Sequence, residues 1–161
     1  MGFRLSVPFV ALFGLVAAMN VNATLIGASV AADLEGESMG PMVIDTSVEF
    51  SFLDSESIKN DNADFDETSV TLSTRNLSTT ENADFEARLW TFVFTDWPGI
   101  DQIIDSIVGD ATNPSGAAIE FVSDDVFAIR LPEIIGLQPR GELEWRFEIR
   151  TSSVPSPATL A

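Results

Sequence analysis

The chain has 161 residues, carries a formal net charge of −17, and contains neither cysteine nor histidine. Without these two residue types, an ordinary zinc site, haem ligation by histidine, disulfides, and Cys-His or Ser-His-Asp catalysis are all excluded. Negative charge of this size repels nucleic acid and anionic lipid head groups, so neither is an expected partner. The length suits one domain with a substantial hydrophobic core.

The first 23 residues have the three-part form of a secretory signal peptide. Arg4 supplies a short positive start, residues 5–19 are almost entirely apolar, and Val21 and Ala23 place small residues before a cleavage site. A buried N-terminal helix or a membrane anchor is the alternative, but the run is shorter than the ~20 residues that a bilayer span needs. We therefore expect signal peptidase to cleave after Ala23 and residues 24–151 to form the mature domain.

Short segments with strand patterns follow, separated by polar turns. Val48, Phe50 and Phe52 alternate with polar residues, which is typical of a half-buried strand. The polar residues of Asn60–Asp64 predict a turn, and those of 76–82 predict a loop. The β-branched and aromatic content predicts further strands over 69–74, 88–94, 118–122 and 126–131.

The clearest predicted strand is 142–150, where Leu143, Trp145, Phe147 and Ile149 alternate with charged residues. A slip of one residue would bury the charges, so the register is strongly specified. We expect a common core that contains Phe50, Leu72, Val93, Ile129, Trp145 and Phe147.

One segment has helical spacing. Its apolar residues are Ile100, Ile103, Ile104, Ile107 and Val108. Isoleucine and valine nevertheless favour strands, so a short helix and a strand both remain open there. Taken together, the patterns predict an all-β fold, a single antiparallel β-sandwich of about seven or eight strands with at most one short helix.

Two acidic segments nearly repeat each other, since Asp61–Asp66 and Glu81–Glu86 both contain Asn-Ala-Asp-Phe between acids. Calcium prefers several converging carboxylate and carbonyl oxygens, so Asp61, Asp64 and Asp66 are candidate metal ligands. An EF-hand is excluded because glutamate stands at its glycine position. The alternative is that both segments are turns that enter strands, each phenylalanine starting a row that faces the core.

Two further functional interpretations depend on residue type alone. Paired carboxylates could support a glycosidase, but no acid lies in a recognisable catalytic motif, so we expect no enzymatic activity. Trp97 lies at a turn and is the candidate for stacking against a sugar ring, with core packing as the alternative because tryptophan usually buries its large surface. Trp145 belongs to the core face of its strand.

The C-terminal segment, residues 154–161, reads Val-Pro-Ser-Pro-Ala-Thr-Leu-Ala and resembles the opening of the PEP-CTERM sorting signal. In that family the signal typically begins Val-Pro-Glu-Pro-Ala-Thr-Leu-Ala, continues into a membrane-spanning helix and an Arg-rich cluster, and is processed by an exosortase. The residues that match the motif are Val154, Pro155, Pro157, Ala158 and Thr159, while Ser156 replaces the usual glutamate. The helix and the basic cluster do not appear in this sequence, which leads us to expect that it is a fragment or a trimmed form.

The resemblance implies a linker and sorting signal over 152–161, and an exported protein of the bacterial cell surface or extracellular matrix. The segments 23–27, 64–72 and 121–125 are also similar to the small β-rich ectodomains that commonly precede such signals. We expect signal peptidase and exosortase as partners during export, a surface polysaccharide as a further candidate partner, and no transmembrane segment in the mature chain. The alternative function is a calcium-dependent adhesion or carbohydrate-binding module, with calcium as its cofactor.

Overall fold

A computed structural model describes residues 24–46, 50–54, 56, 58–97 and 102–154. These residues form twelve strands and no helix. In chain order the strands are β1 Ser29–Leu34, β2 Glu37–Val43, β3 Phe50–Leu53, β4 Lys59–Phe65, β5 Ser69–Asn76, β6 Ala83–Phe85, β7 Arg88–Asp96, β8 Gln102–Gly109, β9 Ala118–Ser123, β10 Val126–Leu131, β11 Ile134–Leu137 and β12 Glu142–Ser153.

The strands form two five-stranded sheets that pack together as a β-sandwich. One sheet has the order β2-β1-β7-β10-β9, the other has the order β3-β4-β5-β12-β8, and β11 and β6 form a separate pair. All pairings between neighbours are antiparallel. The predicted sandwich is therefore confirmed, with more strands than the seven or eight expected. Among the additional strands, β6 and β11 are short and β4 is polar, whereas β1 does alternate buried and partly exposed residues and was not predicted.

Strand β12 confirms the prediction for 142–150 and extends it to Ser153. Trp145, Phe147 and Ile149 are buried, and Leu143 packs partly buried against the same core. Pairing on both sides, with β5 and with β8, makes β12 an interior strand. This strand can be predicted from the sequence because one of its faces is apolar and the other is charged.

The core is built around aromatic rings from both sheets. Five of the six residues predicted for it are buried in one cluster, namely Phe50, Leu72, Ile129, Trp145 and Phe147. The prediction for Val93 is wrong, since 37% of this residue is exposed. The side chains that point into the core from β7 are those of Trp90, Phe92 and Phe94. Because successive side chains of a strand point to opposite faces, Val93 points away from the core.

The predicted turn at Asn60–Asp64 is wrong, because these residues lie inside β4. The strand buries Asp61, Ala63 and Phe65 and leaves Asn60, Asn62 and Asp64 only partly covered. Pairing with β3 and β5 holds this polar strand between two neighbours. Sheet pairing has overridden the turn preference of asparagine and aspartate.

The segment with helical spacing is strand β8, so the short helix considered there is not formed by residues 102–108. Strand β8 pairs with β12, and Ile104 is buried while Ile107 packs against the core. The β-branched side chains and a partner strand outweigh the helical spacing. Ile100 lies outside the described residues.

The strands predicted over 118–122 and 126–131 are confirmed as β9 and β10, which form a hairpin. Within the turn of this hairpin, the Asp124 carbonyl accepts a hydrogen bond from the Ile104 amide at 2.8 Å. This bond joins the hairpin to β8, so the β9 border of one sheet lies beside the β8 border of the other.

Candidate functional site

The two near-repeated acidic segments both lie in strands. Ala63 and Phe65 are buried in β4, and Ala83 and Phe85 are buried in β6. Each phenylalanine faces the core, as the structural interpretation of the repeat expected. In the first segment the preceding residues belong to β4, whereas in the second Glu81 and Asn82 precede β6 and lead into it from a bend. The shared Asn-Ala-Asp-Phe pattern is therefore explained by alternation of buried and outward side chains.

Asp61, the first candidate metal ligand, is buried and already has partners. Its Oδ1 lies 3.1 Å from Arg88 Nε and accepts a hydrogen bond from the Thr74 hydroxyl at 2.5 Å. Thr74 in turn accepts a hydrogen bond from Arg88 Nη2 at 2.9 Å. The three side chains form a buried polar cluster between the two sheets, which we call the Arg88 cluster.

Burial dominates the electrostatics of the Arg88 cluster. It raises the pKa of Asp61, and the Arg88 charge and the Thr74 hydroxyl only partly offset that shift. It lowers the pKa of Arg88, with Asp61 acting in the opposite direction. The two opposite charges therefore offset part of each other's desolvation cost within the sandwich.

A cleft of about 550 Å³ opens beside the Arg88 cluster. Lys59 and Arg88 both approach the Phe85 ring, with Nζ at 5.7 Å and Cζ at 5.1 Å from its centroid. Carboxylates around the cleft serve the backbone, since Asp54 accepts hydrogen bonds from the amides of Ile58 and Lys59, and Glu35 accepts one from the Leu89 amide. These groups position loops, which leaves them poorly suited to acid–base work on a substrate.

Asp64 and Asp66 line a second cleft of about 560 Å³, together with Asp45 and Glu67. Burial, with the charges of Asp66 and Asp45, raises the pKa of Asp64. Burial acts to raise the pKa of Asp66 as well. Hydrogen bonds from Thr68 and Ser69 and the charge of Arg146 outweigh that effect, so its pKa is lowered. Arg146 Nη2 lies 2.5 Å from Asp66 Oδ2.

The three candidate ligands are thus not brought to one point. Asp61 lies on the core face of β4, whereas Asp64 lies on its other face and Asp66 follows the strand. Within the described parts of the chain, no three acidic side chains are grouped closely enough to hold a metal ion.

Trp97 belongs to the edge of the core rather than to an open platform. Its indole stacks on the Phe94 ring with centroids 4.8 Å apart and planes 8° from parallel, and it packs partly buried against the hydrophobic cluster. One face of the ring is therefore taken by Phe94. Trp145 is fully buried, as expected, and its Nε1 donates to the Pro114 carbonyl at 3.1 Å.

The predicted processing positions flank the described fold. Val154, the first residue of the predicted sorting motif, follows β12 directly and is 41% exposed. Ala23, Pro155, Pro157, Ala158 and Thr159 lie outside the described residues.

Sequence reasoning missed the buried polar residues that organise the loops. The strand predicted over 88–94 includes Arg88, but nothing in its pattern predicts that the arginine side chain is buried against Asp61. Asn76 is fully buried, and its Nδ2 donates to the carbonyls of Glu81 and Leu137 at 2.8 and 2.9 Å. Nothing in the spacing of the sequence marks Asn76 as different from the exposed asparagines near it.

Comparisons with protein-family models, with curated proteins and with solved structures find no match. In the portion of the chain covered by the structure, no helix has the length and apolar character required to cross a membrane.

Calcium binding at the second cleft can be tested with single substitutions. We expect calorimetric titration with Ca²⁺ to give weak, salt-sensitive heats that Asp64→Ala and Asp66→Ala leave unchanged, because Asp66 is already held by Arg146 and two amides. Asp84→Ala is the matched control, since Asp84 occupies the same position in the near-repeat. Saturable binding that is lost in both cleft variants and kept in the control would establish a calcium site instead.

Proposed function

We propose that this chain is an exported, non-enzymatic protein of the bacterial cell surface or extracellular matrix, sorted by an exosortase-type system. The observation that carries the proposal is the position of the two predicted processing sites relative to the fold. The fully buried Leu25 would be the second residue after the predicted signal-peptide cleavage site, and the sorting motif begins immediately after β12.

At the N-terminal boundary, the core begins almost at once. Leu25 is fully buried, and its amide donates to the Glu67 carbonyl at 2.7 Å. Thr24, which would become the first residue after cleavage, is exposed. Cleavage after Ala23 would therefore place the new terminus at the surface, one residue before the buried Leu25.

At the C-terminal boundary, Thr151 is still buried within β12, whereas Val154 is exposed. A processing enzyme at the membrane needs an extended substrate that leaves the folded domain. The motif begins where the last sheet pairing, between Ser153 and Gln102, ends. This arrangement suits sorting without unfolding of the sandwich.

The expectation of no catalysis draws support from how the polar groups are used. The absence of histidine and cysteine removes the commonest nucleophile and base combinations. In the two clefts described above, Asp61, Asp66 and Asp54 are engaged in ion pairs or backbone hydrogen bonds. Such groups stabilise the domain and are not available as a matched acid and base.

The alternative function, a calcium-dependent adhesion or carbohydrate-binding module, is favoured by one observation. Asp64, Asp66, Asp45 and Glu67 line the same cleft. The calcium titration described above tests this alternative, because adhesion of that kind requires saturable binding that depends on Asp64 and Asp66.

Sorting can be tested by expressing the full gene in a host with an exosortase and in the same host without it. We expect the protein on the surface or in the medium of the first host and retained at the membrane of the second. Replacing both Pro155 and Pro157 with alanine should reproduce the retention, while Arg150→Ala, just inside the domain, serves as the control. Equal distribution in the two hosts would argue against exosortase sorting.

A further inference from the structure

Strand β9 is a sheet border with an apolar surface, and although it lies beside β8 of the other sheet, its outer edge has no strand paired to it among the described residues. It ends the first sheet, pairs only with β10 among the described strands, and all six of its residues are exposed. Ile119 and Phe121 lie opposite Ile129 and Phe127 of β10, which are fully buried core residues. The core face of the sheet therefore continues onto β9 and is left open there, with Phe121 46% exposed.

We propose that β9 pairs antiparallel with β9 of a second copy of this chain, across a two-fold axis at Ile119. In that register Ile119 lies opposite its own copy, and Glu120 lies opposite Ala118. The core face then gains a continuous apolar row, Ile129–Ile119–Ile119–Ile129, across four strands. An isologous pairing of this kind is self-complementary, since each residue pair occurs twice.

Charge complementarity favours a second copy of this chain as the partner that pairs with β9. On the outer face, Arg130 lies opposite Ala118 in the sheet. The proposed register places the partner copy's Glu120 on the other side of that small residue, within reach of the long arginine side chain. Arg130 forms no ion pair with any residue in the described ranges, whereas Arg75, Arg88, Arg146 and Arg150 all do. Two Arg130–Glu120 pairs would thus form across the axis of a strongly acidic protein.

The other sheet borders are less suited to this pairing. Strand β2 contains Pro41, which lacks an amide donor, and its pairing with β1 is irregular. Strand β3 has only four residues. Strand β8 carries the charged residue Asp105, which accepts a hydrogen bond from Ser152, and a charged side chain on a border strand disfavours pairing with another strand. The register of β9 shifts near its turn, but Ala118–Phe121, the part used in the proposal, is regular.

Sedimentation equilibrium of the protein from Thr24 onward, over micromolar to millimolar concentrations, tests the pairing. We expect a reversible dimer that Ile119→Glu abolishes, because it would place two carboxylates opposite each other. Val93→Glu is the matched control, since it adds the same charge to a partly exposed apolar site on the same sheet away from the border. Circular dichroism and melting curves verify that each variant is folded.

A charge exchange tests the register even if Ile119→Glu disturbs folding. Arg130→Glu and Glu120→Arg should each weaken dimerisation by about tenfold, and the double variant should restore it. A protein that stays monomeric throughout the range would overturn the proposal. So would a dimer that Ile119→Glu and both single charge variants leave unchanged, since another surface would then form the contact. Neither result bears on export or sorting, which are measured separately.

Discussion

Replacing Arg88 with methionine is expected to destabilise the protein by roughly 3–5 kcal/mol at neutral pH. The substitution keeps much of the side-chain volume but leaves Asp61 buried with only the Thr74 hydroxyl as a partner. An unpaired buried carboxylate carries a large desolvation cost. Urea denaturation followed by tryptophan fluorescence measures the loss in unfolding free energy.

Two variants separate the charge effect from a packing effect. Adding Asp61→Asn to Arg88→Met removes the unpaired charge and should recover part of the lost stability. Arg75→Met breaks an exposed ion pair, Arg75–Glu142 at 2.6 Å, and should cost less than about 1 kcal/mol. Equal losses for Arg88→Met and Arg75→Met would show that the Arg88 cluster does not behave as a buried ion pair.

The pH dependence of the Arg88→Met variant has a defined sign. Burial already raises the pKa of Asp61 above its ordinary 3.8, and loss of Arg88 should raise it further. The folded state then binds a proton more readily than the unfolded state, so the stability of the variant falls as pH rises through the folded pKa. The deficit relative to wild type should be largest at neutral pH and shrink in acid. A deficit that grows on acidification would contradict this assignment.

Phe92→Ala is the second large expected effect, with a loss of roughly 3–5 kcal/mol of unfolding free energy. Phe92 is fully buried at the centre of the aromatic core. Its ring has four aromatic neighbours at centroid distances of 5.1–6.5 Å, namely Phe50, Phe65, Trp90 and Phe127. Truncation removes all four ring contacts and leaves a cavity between the sheets.

Val93→Ala is the matched control for Phe92, because the two residues are adjacent on β7 but face opposite sides. We expect a change within about 0.5 kcal/mol, as is usual at exposed positions. Chemical denaturation of both variants under the same conditions makes the comparison. Similar losses at the two positions would mean that the core does not lie on the Phe92 face.

The strands predicted from sequence are those with one strongly apolar face. In β12, aromatic and aliphatic residues alternate with charges, so both the strand and its register could be predicted. Val93 was misassigned because β7 has apolar residues on both faces near its centre, and composition alone does not tell which face the other sheet covers. For a strand with apolar residues on both faces, only its packing against the other sheet decides which face is buried.

Strands β4 and β8 were less predictable for a different reason. In β4 the local preferences of asparagine and aspartate favour a turn, and only pairing with β3 and β5 makes the segment extended. In β8 the positions of isoleucine suit a helix and their β-branching suits a strand, so the pairing with β12 decides.

The candidate site was predictable only in part. Asp64 and Asp66 do line one cleft, which their spacing allowed. Asp61 is turned to the other side of β4, because an odd separation along a strand reverses the face. Its partner Arg88 comes from β7 of the opposite sheet, and such a contact depends on sheet packing that local sequence patterns do not encode.

N-terminal sequencing and intact mass of the protein recovered from the envelope and medium of the producing cell test the central claim most directly. If the protein is exported as proposed, the mature chain begins at Thr24, directly before the buried Leu25. Replacing Ala23 with leucine should slow this cleavage, while the same change at Asn22 should not. Recovery of a stable, folded protein that begins at Met1 and remains in the cytoplasm would contradict the proposed export.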